Sequence, residues 1–330
     1  MTGHIRLILA LLVLLSHTGI TINGLNPGVI AVVIFYMLAG GVVTHLWHDI
    51  LTDGKGKLLH FYKDRVLRIF PLYLYVALLT ILFLLMTGYA EPRFSLITLL
   101  NNTLIIPLNF YMVIDNTILS EPSWWLIPQA WSLGTELQAY LLLPLVLIYK
   151  RVKWLLFIFS IIVYMAANLT YIHTDYFGYR LIPGVFFIFI IGSMIKDGQK
   201  TKSNIVAALL MAAVLITYGL FDYFDAFKQV YTQETLLGLL IGVPLLVLTG
   251  TTTVRLPLNK LAASLSYGVF LSHFLVIWLL DYYNVLITNT ILYYGLLISL
   301  TLVISYSGTK LIETRINALR MRSKPKSPII

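Results

Sequence analysis

Two histidines and a glutamate lie inside long apolar stretches, where ionisable side chains are costly. Glu136 stands in "QAWSLGTELQAYLLLPLVL" (residues 129–147), His17 in "IRLILALLVLLSHTGI" (5–20) and His273 in "SYGVFLSHFLVIW" (266–278). A charge at the centre of a membrane-spanning helix costs roughly 2.5–3.5 kcal/mol or more, so such residues usually face the protein interior. A neutral imidazole there could act as a general base or a nucleophile, and a carboxylate could orient it.

Helix geometry places these three residues at comparable depths in their helices. Arg6 and His17 lie within about 20° on one helix face and roughly 16 Å apart along the axis. The same rise per residue puts Glu136 about 12 Å and His273 about 18 Å into their own helices. We therefore predict that His17, Glu136 and His273 converge, the alternative being that Arg6 is a snorkelling anchor and His17 a packing residue.

A pair of arginines precedes the third apolar stretch. Arg65 and Arg68 share one helix face in "FYKDRVLRIFPLY" (61–73), and two guanidiniums on one turn can clamp a phosphate or a carboxylate. The alternative is an ordinary positive charge that orients the protein in its membrane. His45, His48 and Asp49 lack further ligands nearby in sequence, so we predict no metal site.

The composition indicates which elements position these residues. Of the 330 residues, 59% are hydrophobic and 11% charged, and the mean hydropathy is +0.87. Soluble domains carry about 25% charged residues, so the sequence predicts an all-α polytopic protein of the lipid bilayer. There are no cysteines, which excludes disulfides and thiolate metal sites. The net charge of +9 is ascribed to membrane orientation rather than to a nucleic-acid partner.

A spanning helix needs about 20 mostly apolar residues, which predicts about ten transmembrane helices. We predict that both termini lie in the cytoplasm. With this orientation, only Arg93, Arg180 and Lys228 of the 23 Lys and Arg residues lie on the outer side of the membrane. Residues 94–112 are expected to be interfacial or re-entrant. We predict a transmembrane domain over 1–312 and a basic cytoplasmic tail over 313–330. The predicted spans are 5–22, 27–47, 69–88, 129–148, 154–170, 182–195, 204–220, 234–250, 261–280 and 289–311.

The same unusual residues form a pattern that resembles integral-membrane acyltransferase family 3, the bacterial surface-carbohydrate O-acyltransferases. "RVLRIFPLY" is similar to the Arg-x-x-Arg-Ile-x-Pro-x-Tyr signature, and "AWSLGTELQAYLLLP" to Trp-Ser-Leu-x-x-Glu-x-x-x-Tyr-Leu-x-x-Pro. The first span carries the Arg and His of the family, and "SLSYGVFLSH" its Ser-Tyr-Gly motif. Ala39 and Phe270 depart from the usual Ser and Tyr.

The resemblance implies transfer of an acyl group, acetyl first, from cytoplasmic acetyl-CoA to a hydroxyl of an extracytoplasmic glycan. It implies a stand-alone protein of a bacterial inner membrane, without an extracellular hydrolase-like domain. No permanently bound cofactor is expected. The acceptor is left open among lipopolysaccharide, capsule, other surface polysaccharides and lipid-linked intermediates.

Residue roles follow from the resemblance together with the predicted depths. His17 is the candidate general base, or an acyl carrier, and Glu136 either orients His17 or binds the acceptor. A transporter that uses the same intramembrane charges is the alternative function. The candidate donor-binding residues are Arg6, Arg65, Arg68 and Tyr73, and the candidate acceptor-binding residues are Trp131, Ser132, Tyr140, Arg180 and His273.

Overall fold

A computed structural model describes residues 2–51, 53–54, 56–198, 203–251, 256–285 and 290–322. The predicted cytoplasmic residues Lys55, Lys200, Lys202, Arg255, Lys324 and Lys326 lie outside these ranges. Within them the chain is helical apart from turns and two isolated β-bridges. The α-helices are α1 (Thr2–Ser16), α2 (Pro27–His45), α3 (Lys57–Thr87), α4 (Leu96–Leu104), α5 (Ile106–Asn109), α6 (Trp131–Ile148), α7 (Lys150–Asn168), α8 (Ile182–Gly198), α9 (Ser203–Tyr223), α10 (Thr232–Thr251), α11 (Asn259–Tyr282), α12 (Thr290–Gly308) and α13 (Thr314–Arg322).

The helices confirm an all-α polytopic membrane protein. In the described part of the chain, nine helical segments are long and apolar enough to cross a bilayer. α1 is a further apolar helix that is shorter than these nine. Short π-helical turns extend α2 through Leu46–Ile50, precede α8 at Tyr176–Arg180 and join α12 to α13 at Thr309–Glu313.

The first helix is shorter than the predicted span 5–22, because α1 ends at Ser16. The Ser16 and Thr18 hydroxyls donate to the carbonyls of Val13 and Leu15 at 2.7 Å, and the same two carbonyls also accept from the backbone N–H groups of His17 and Thr18. Gly19 then adopts a left-handed conformation (φ 82°) that ends the helix. His17 therefore lies just beyond α1 rather than inside a continuous span.

Two other predicted spans differ in their bounds. α3 begins at Lys57, twelve residues before the predicted start at 69, so Arg65 and Arg68 lie well inside a helix. The sixth span is not short, since its π-helical turn and α8 together cover Tyr176–Gly198. Residues 94–112 contain only the short helices α4 and α5, broken at Ile105 (φ 67°), in agreement with the predicted interfacial or re-entrant segment.

α2 lies in the interior of the bundle and packs closely against α8. A Cβ built on Gly40 would lie 1.9 Å from the Phe189 carbonyl oxygen, and one built on Gly192 would lie 1.9 Å from that of Met37. Small residues on both faces therefore let the two backbones approach, as is common between membrane helices. This approach fixes α2, which contributes to both cavities described below.

Ion pairs join several segments that the sequence assigns to one side of the membrane. Asp197 at the end of α8 lies 3.7 Å from Lys153 at the start of α7, and Lys196 lies 3.9 Å from Asp49 after α2. These contacts place the end of α2, the start of α7 and the end of α8 at one end of the bundle. That arrangement agrees with the predicted alternation of the spans; which side faces the cytoplasm stays a prediction.

The segment after α12 contacts α3. Glu313 pairs with Arg68, and Arg320 of α13 donates to both Asp64 carboxylate oxygens at 3.1 and 3.0 Å. An interpretation of 313–330 as a tail that only orients the protein is therefore incomplete, since its described part packs on the membrane domain. The division at 312/313 itself stays a prediction.

Candidate active site

Five helices enclose a cavity of about 130 Å³, here called the basic cavity. That free volume is well above the roughly 10–15 Å³ that one water needs. The charged residues on its wall are three arginines and one carboxylate, so the wall suits an anionic ligand. They are Arg6 from α1, Arg65 and Arg68 from α3, and Glu136 from α6.

The three arginines differ in what they already bind. Arg65 pairs with Asp64, and its buried Nε–H has no partner among the described residues. Arg68 pairs with Glu313 of the π-helical turn, so both predicted clamp residues hold a carboxylate. Arg6 has no ion pair or hydrogen bond with any described residue. Its guanidinium can therefore bind an anion without giving up an existing ion pair, unlike those of Arg65 and Arg68.

A polar stripe on α6 faces the basic cavity, as its spacing in the sequence predicts. Ser132, Glu136 and Tyr140 all line the cavity one turn apart. The Tyr140 hydroxyl donates a hydrogen bond to Glu136, and the Arg65 guanidinium lies 5.4 Å from the centre of the Tyr140 ring. Glu136 thus belongs to the arginine cluster.

A second cavity of about 70 Å³, here called the histidine cavity, lies next to the first. His17 is exposed and lines it, together with Gln129, Trp131 and Arg180. Arg180 precedes α8 and Trp131 begins α6, so this cavity lies toward the end of the bundle opposite the Arg65–Arg68 pair.

The two cavities have residues in common. Val32, Ser132 and Phe270 line both, so the basic cavity and the histidine cavity meet at these three side chains. A ligand entering from each end of the bundle would meet the other at this shared wall. The arrangement suits a reaction between two substrates that approach from opposite sides.

His17 is hydrogen-bonded to His273, and the contact assigns both tautomers. His273 Nδ1 lies 3.1 Å from the Val269 carbonyl oxygen, which can only accept, so His273 Nδ1 carries the proton. His273 Nε2, 3.1 Å from His17 Nδ1, is then the acceptor, and His17 Nδ1 must donate. The remaining nitrogen, His17 Nε2, is therefore left with a lone pair, as a general base requires.

Arg180 lies among aromatic rings in the histidine cavity. Its guanidinium is 4.5 Å from the centre of the Trp131 ring and between 5.4 and 5.9 Å from three tyrosine rings, and its Nε donates to Asp175 at 2.8 Å. The Arg180 carbonyl accepts from Thr135 of α6 at 2.8 Å. These contacts hold a cation and flat apolar faces together, a surface to which a sugar ring can bind.

Three predicted site residues have neighbours that differ from those expected. Glu136 lines the basic cavity and His17 lines the histidine cavity, because α6 carries Glu136 one turn beyond Ser132. The hydrogen-bond partner of the His17 side chain is His273 instead. His273 is fully buried beside His17 and lines neither cavity, so its contact is with His17 rather than with the space of either cavity. Tyr73 also lies outside both cavities, since its hydroxyl donates to the Asn102 carbonyl at 2.6 Å and ties α3 to α4.

The sequence grouped Arg6, Arg65 and Arg68 as donor-binding residues, and all three line one cavity. Glu136 and Tyr140, which were expected beside His17 or the acceptor, line that same cavity. Three further residues were not predicted. Gln129 was overlooked, although an amide in an apolar stretch is the same signal that singled out Glu136. Asp64 and Glu313, the partners of the arginine pair, are set by tertiary contacts that no local pattern indicates.

Comparisons with known proteins identify the family of the chain. A family model described as an acyltransferase domain matches residues 4–310. A protein of Aquifex aeolicus (strain VF5), described as uncharacterized, is 41% identical over 220 residues, which are 63% of this chain and 98% of the relative. No solved structure matches significantly. The family match runs from α1 through the end of α12 and includes both cavities, so the chain belongs to acyltransferase family 3 and is a multi-pass membrane acyltransferase.

Proposed function

We propose that the protein transfers an acyl group, acetyl as the first candidate, from cytoplasmic acyl-CoA to a hydroxyl of an extracytoplasmic carbohydrate or glycolipid. The observation that carries this proposal is the pair of cavities that approach from opposite ends and share Val32, Ser132 and Phe270. One cavity is lined by arginines, and the other exposes a histidine with a free lone pair. A bacterial inner membrane is the proposed location, because it separates such a donor from such an acceptor.

The basic cavity is the proposed donor site. Coenzyme A carries phosphates, and guanidiniums bind phosphates through paired N–H donors. Arg6 and the unpartnered Nε–H of Arg65 supply donors without breaking any contact. Arg68 would share its charge between Glu313 and the ligand. Glu136 is proposed to hold this cluster in place through Tyr140 and the surrounding positive charge.

His17 Nε2, on the wall of the histidine cavity, is the proposed general base. It removes the proton from the acceptor hydroxyl while the hydroxyl oxygen forms a bond to the thioester carbonyl carbon. The carbon–sulfur bond then breaks and the thiolate leaves, while the proton stays on His17 Nε2. An acyl-His17 relay, in which Nε2 itself attacks the thioester and is then displaced by the hydroxyl, is the alternative within this mechanism.

The histidine cavity is the proposed acceptor site. Trp131 and the tyrosines around Arg180 supply flat apolar faces of the kind that sugar rings stack on, and Arg180 offers charge to an acidic or phosphorylated glycan. Lipopolysaccharide, capsule, other surface glycans and lipid-linked intermediates are all candidate acceptors.

The proposal is tested first in cells. We expect mass spectrometry of surface glycans to show an acyl ester that is lost from a deletion strain and restored by the wild-type gene. Glycans that are identical in the two strains would contradict the proposed acceptor class.

A transporter could also use two adjacent cavities, so a second experiment separates the two functions. Purified protein in liposomes should release free thiol from acetyl-CoA only when acceptor glycolipid is present. Movement of the glycolipid across the liposome membrane without any thiol release would identify a carrier and contradict the enzyme proposal.

A further inference from the structure

A buried glutamine stands at the wall of the histidine cavity. Gln129 lies in the short 3-10 turn Pro128–Ala130 that leads into α6, and its side chain is 2% exposed. Its Nε2 donates to the carbonyl oxygens of Phe270 and Leu271 on α11, at 2.5 and 2.8 Å. Both of these partners can only accept, so the orientation of the amide is fixed.

The other end of this amide is unused. Gln129 Oε1 is buried and has no hydrogen-bond partner among the described residues, although Gln129 lines the same cavity as His17. Leaving a buried acceptor unpaired is unfavourable, and native proteins rarely do so without a reason. A ligand that brings a hydrogen-bond donor to this cavity would remove the penalty.

The unpartnered atoms of the two cavities differ in kind. On the basic cavity, the unpartnered atoms are Arg65 Nε, which is a donor, and the Tyr36 hydroxyl, which can also donate, so both suit the oxygens of a phosphate. On the histidine cavity, Gln129 Oε1 is an acceptor, which suits an O–H group and would repel a phosphate or carboxylate oxygen. This difference assigns a hydroxyl-bearing ligand to the histidine cavity on grounds independent of His17.

We propose that Gln129 Oε1 accepts a hydrogen bond from a second hydroxyl of the acyl acceptor. His17 Nε2 has a lone pair and takes the single proton of the attacking hydroxyl. That proton is then unavailable to Gln129, so Oε1 needs another donor from the same ligand. The acceptor is therefore a polyol, such as a sugar with a free hydroxyl beside the one that is acylated. This inference rests on the proposed function and narrows its substrate class.

The test uses full-length protein in host membranes, with labelled acetyl-CoA and the glycolipid of those membranes as acceptor. Gln129→Met keeps the side-chain length but removes the acceptor oxygen. Gln129→Glu, buried beside two carbonyl oxygens and therefore neutral, keeps the acceptor oxygen together with one O–H donor for these carbonyls. We expect Gln129→Met to raise the KM for glycolipid about tenfold, with the KM for acetyl-CoA unchanged. Gln129→Glu should stay within about threefold of wild type. Gln138→Met is the matched control, because Gln138 lies on α6 and bonds Asn109 and Gly134 rather than lining either cavity.

Equal losses in Gln129→Met and Gln129→Glu would show that the residue merely ties α6 to α11, and would overturn the inference. An unchanged KM for glycolipid in Gln129→Met would do the same. NMR of the wild-type product gives a second readout, since the acylated carbon should have a neighbour with a free hydroxyl; a product without one contradicts the proposal. If wild-type protein transfers no label to any glycolipid, the proposed function itself fails, and the inference with it.

Discussion

Replacing His273 by phenylalanine keeps a flat ring of similar size at a fully buried position while removing the nitrogen that accepts from His17. His17 Nδ1 would lose its 3.1 Å partner, and the proton would be free to move to Nε2. In that tautomer Nε2 is a donor and cannot serve as the base. We therefore expect His273→Phe to lower kcat and to leave the KM of both substrates unchanged.

The size of the effect follows from the kind of hydrogen bond that is lost. A bond between neutral groups contributes about 0.5–1.5 kcal/mol, and about 1.4 kcal/mol corresponds to a tenfold change in rate. Loss of a carboxylate partner in a serine protease triad lowers kcat about 10⁴-fold, but a neutral imidazole stabilises the imidazolium far less. We expect a loss of about tenfold for His273→Phe.

The assay is thiol release from acetyl-CoA in the presence of acceptor glycolipid, together with the melting temperature of the purified protein. His60→Phe is the matched control, because His60 is exposed and lies outside both cavities. His273→Gln offers an amide oxygen to His17 Nδ1–H and should recover part of the lost rate. A His273→Phe protein with wild-type kcat and melting temperature would refute the assignment of the His17 tautomer.

Three further outcomes are expected. Arg6→Gln should raise the KM for acetyl-CoA about 10- to 100-fold, since hydrogen bonds to charged groups contribute about 1.5–3 kcal/mol. Arg315→Gln, at an exposed position, is the control and should not change this KM. Equal effects of the two substitutions would argue against an anion site at Arg6. Gly40→Ile should lower the melting temperature by several degrees, because the added Cβ would lie 1.9 Å from an α8 carbonyl oxygen. Overpacking of this kind costs about 1–3 kcal/mol. An unchanged melting temperature would contradict the close contact between α2 and α8. The chain has no cysteine, so single cysteines report orientation: in intact cells an impermeant thiol reagent should label Tyr171→Cys but not His60→Cys, and the reverse pattern would overturn the predicted topology.

The number and type of helices follow from the sequence because a bilayer requires long apolar stretches. Helix ends are less well determined, as α1 shows: Ser16, Thr18 and Gly19 end it through local side-chain and backbone contacts inside an apolar stretch. The third span shows the opposite error, because α3 is longer than predicted and begins at Lys57. α3 continues through charged residues that a hydropathy window rejects, since Asp64 and Arg65 are paired and buried against other parts of the protein.

In the candidate site, too, some arrangements follow from the sequence and others do not. Ser132, Glu136 and Tyr140 share a helix face, so the period of the helix alone places them together. Contacts between helices depend on the rotation of each helix about its axis, which a single sequence does not determine. For this reason the sequence left open whether Glu136 contacts His17 or the acceptor, and it did not predict that His273 of α11 is the hydrogen-bond partner of His17.

His17 of the histidine cavity is proposed to carry the acyl transfer. The most direct measurement is transfer of labelled acetyl from acetyl-CoA to acceptor glycolipid by purified wild-type and His17→Ala proteins, after both are shown to insert and to have the same melting temperature. We expect His17→Ala to lower the rate by about 10²- to 10⁴-fold, the usual contribution of a general base. Transfer by His17→Ala at the wild-type rate would contradict the account in both its base and its relay form.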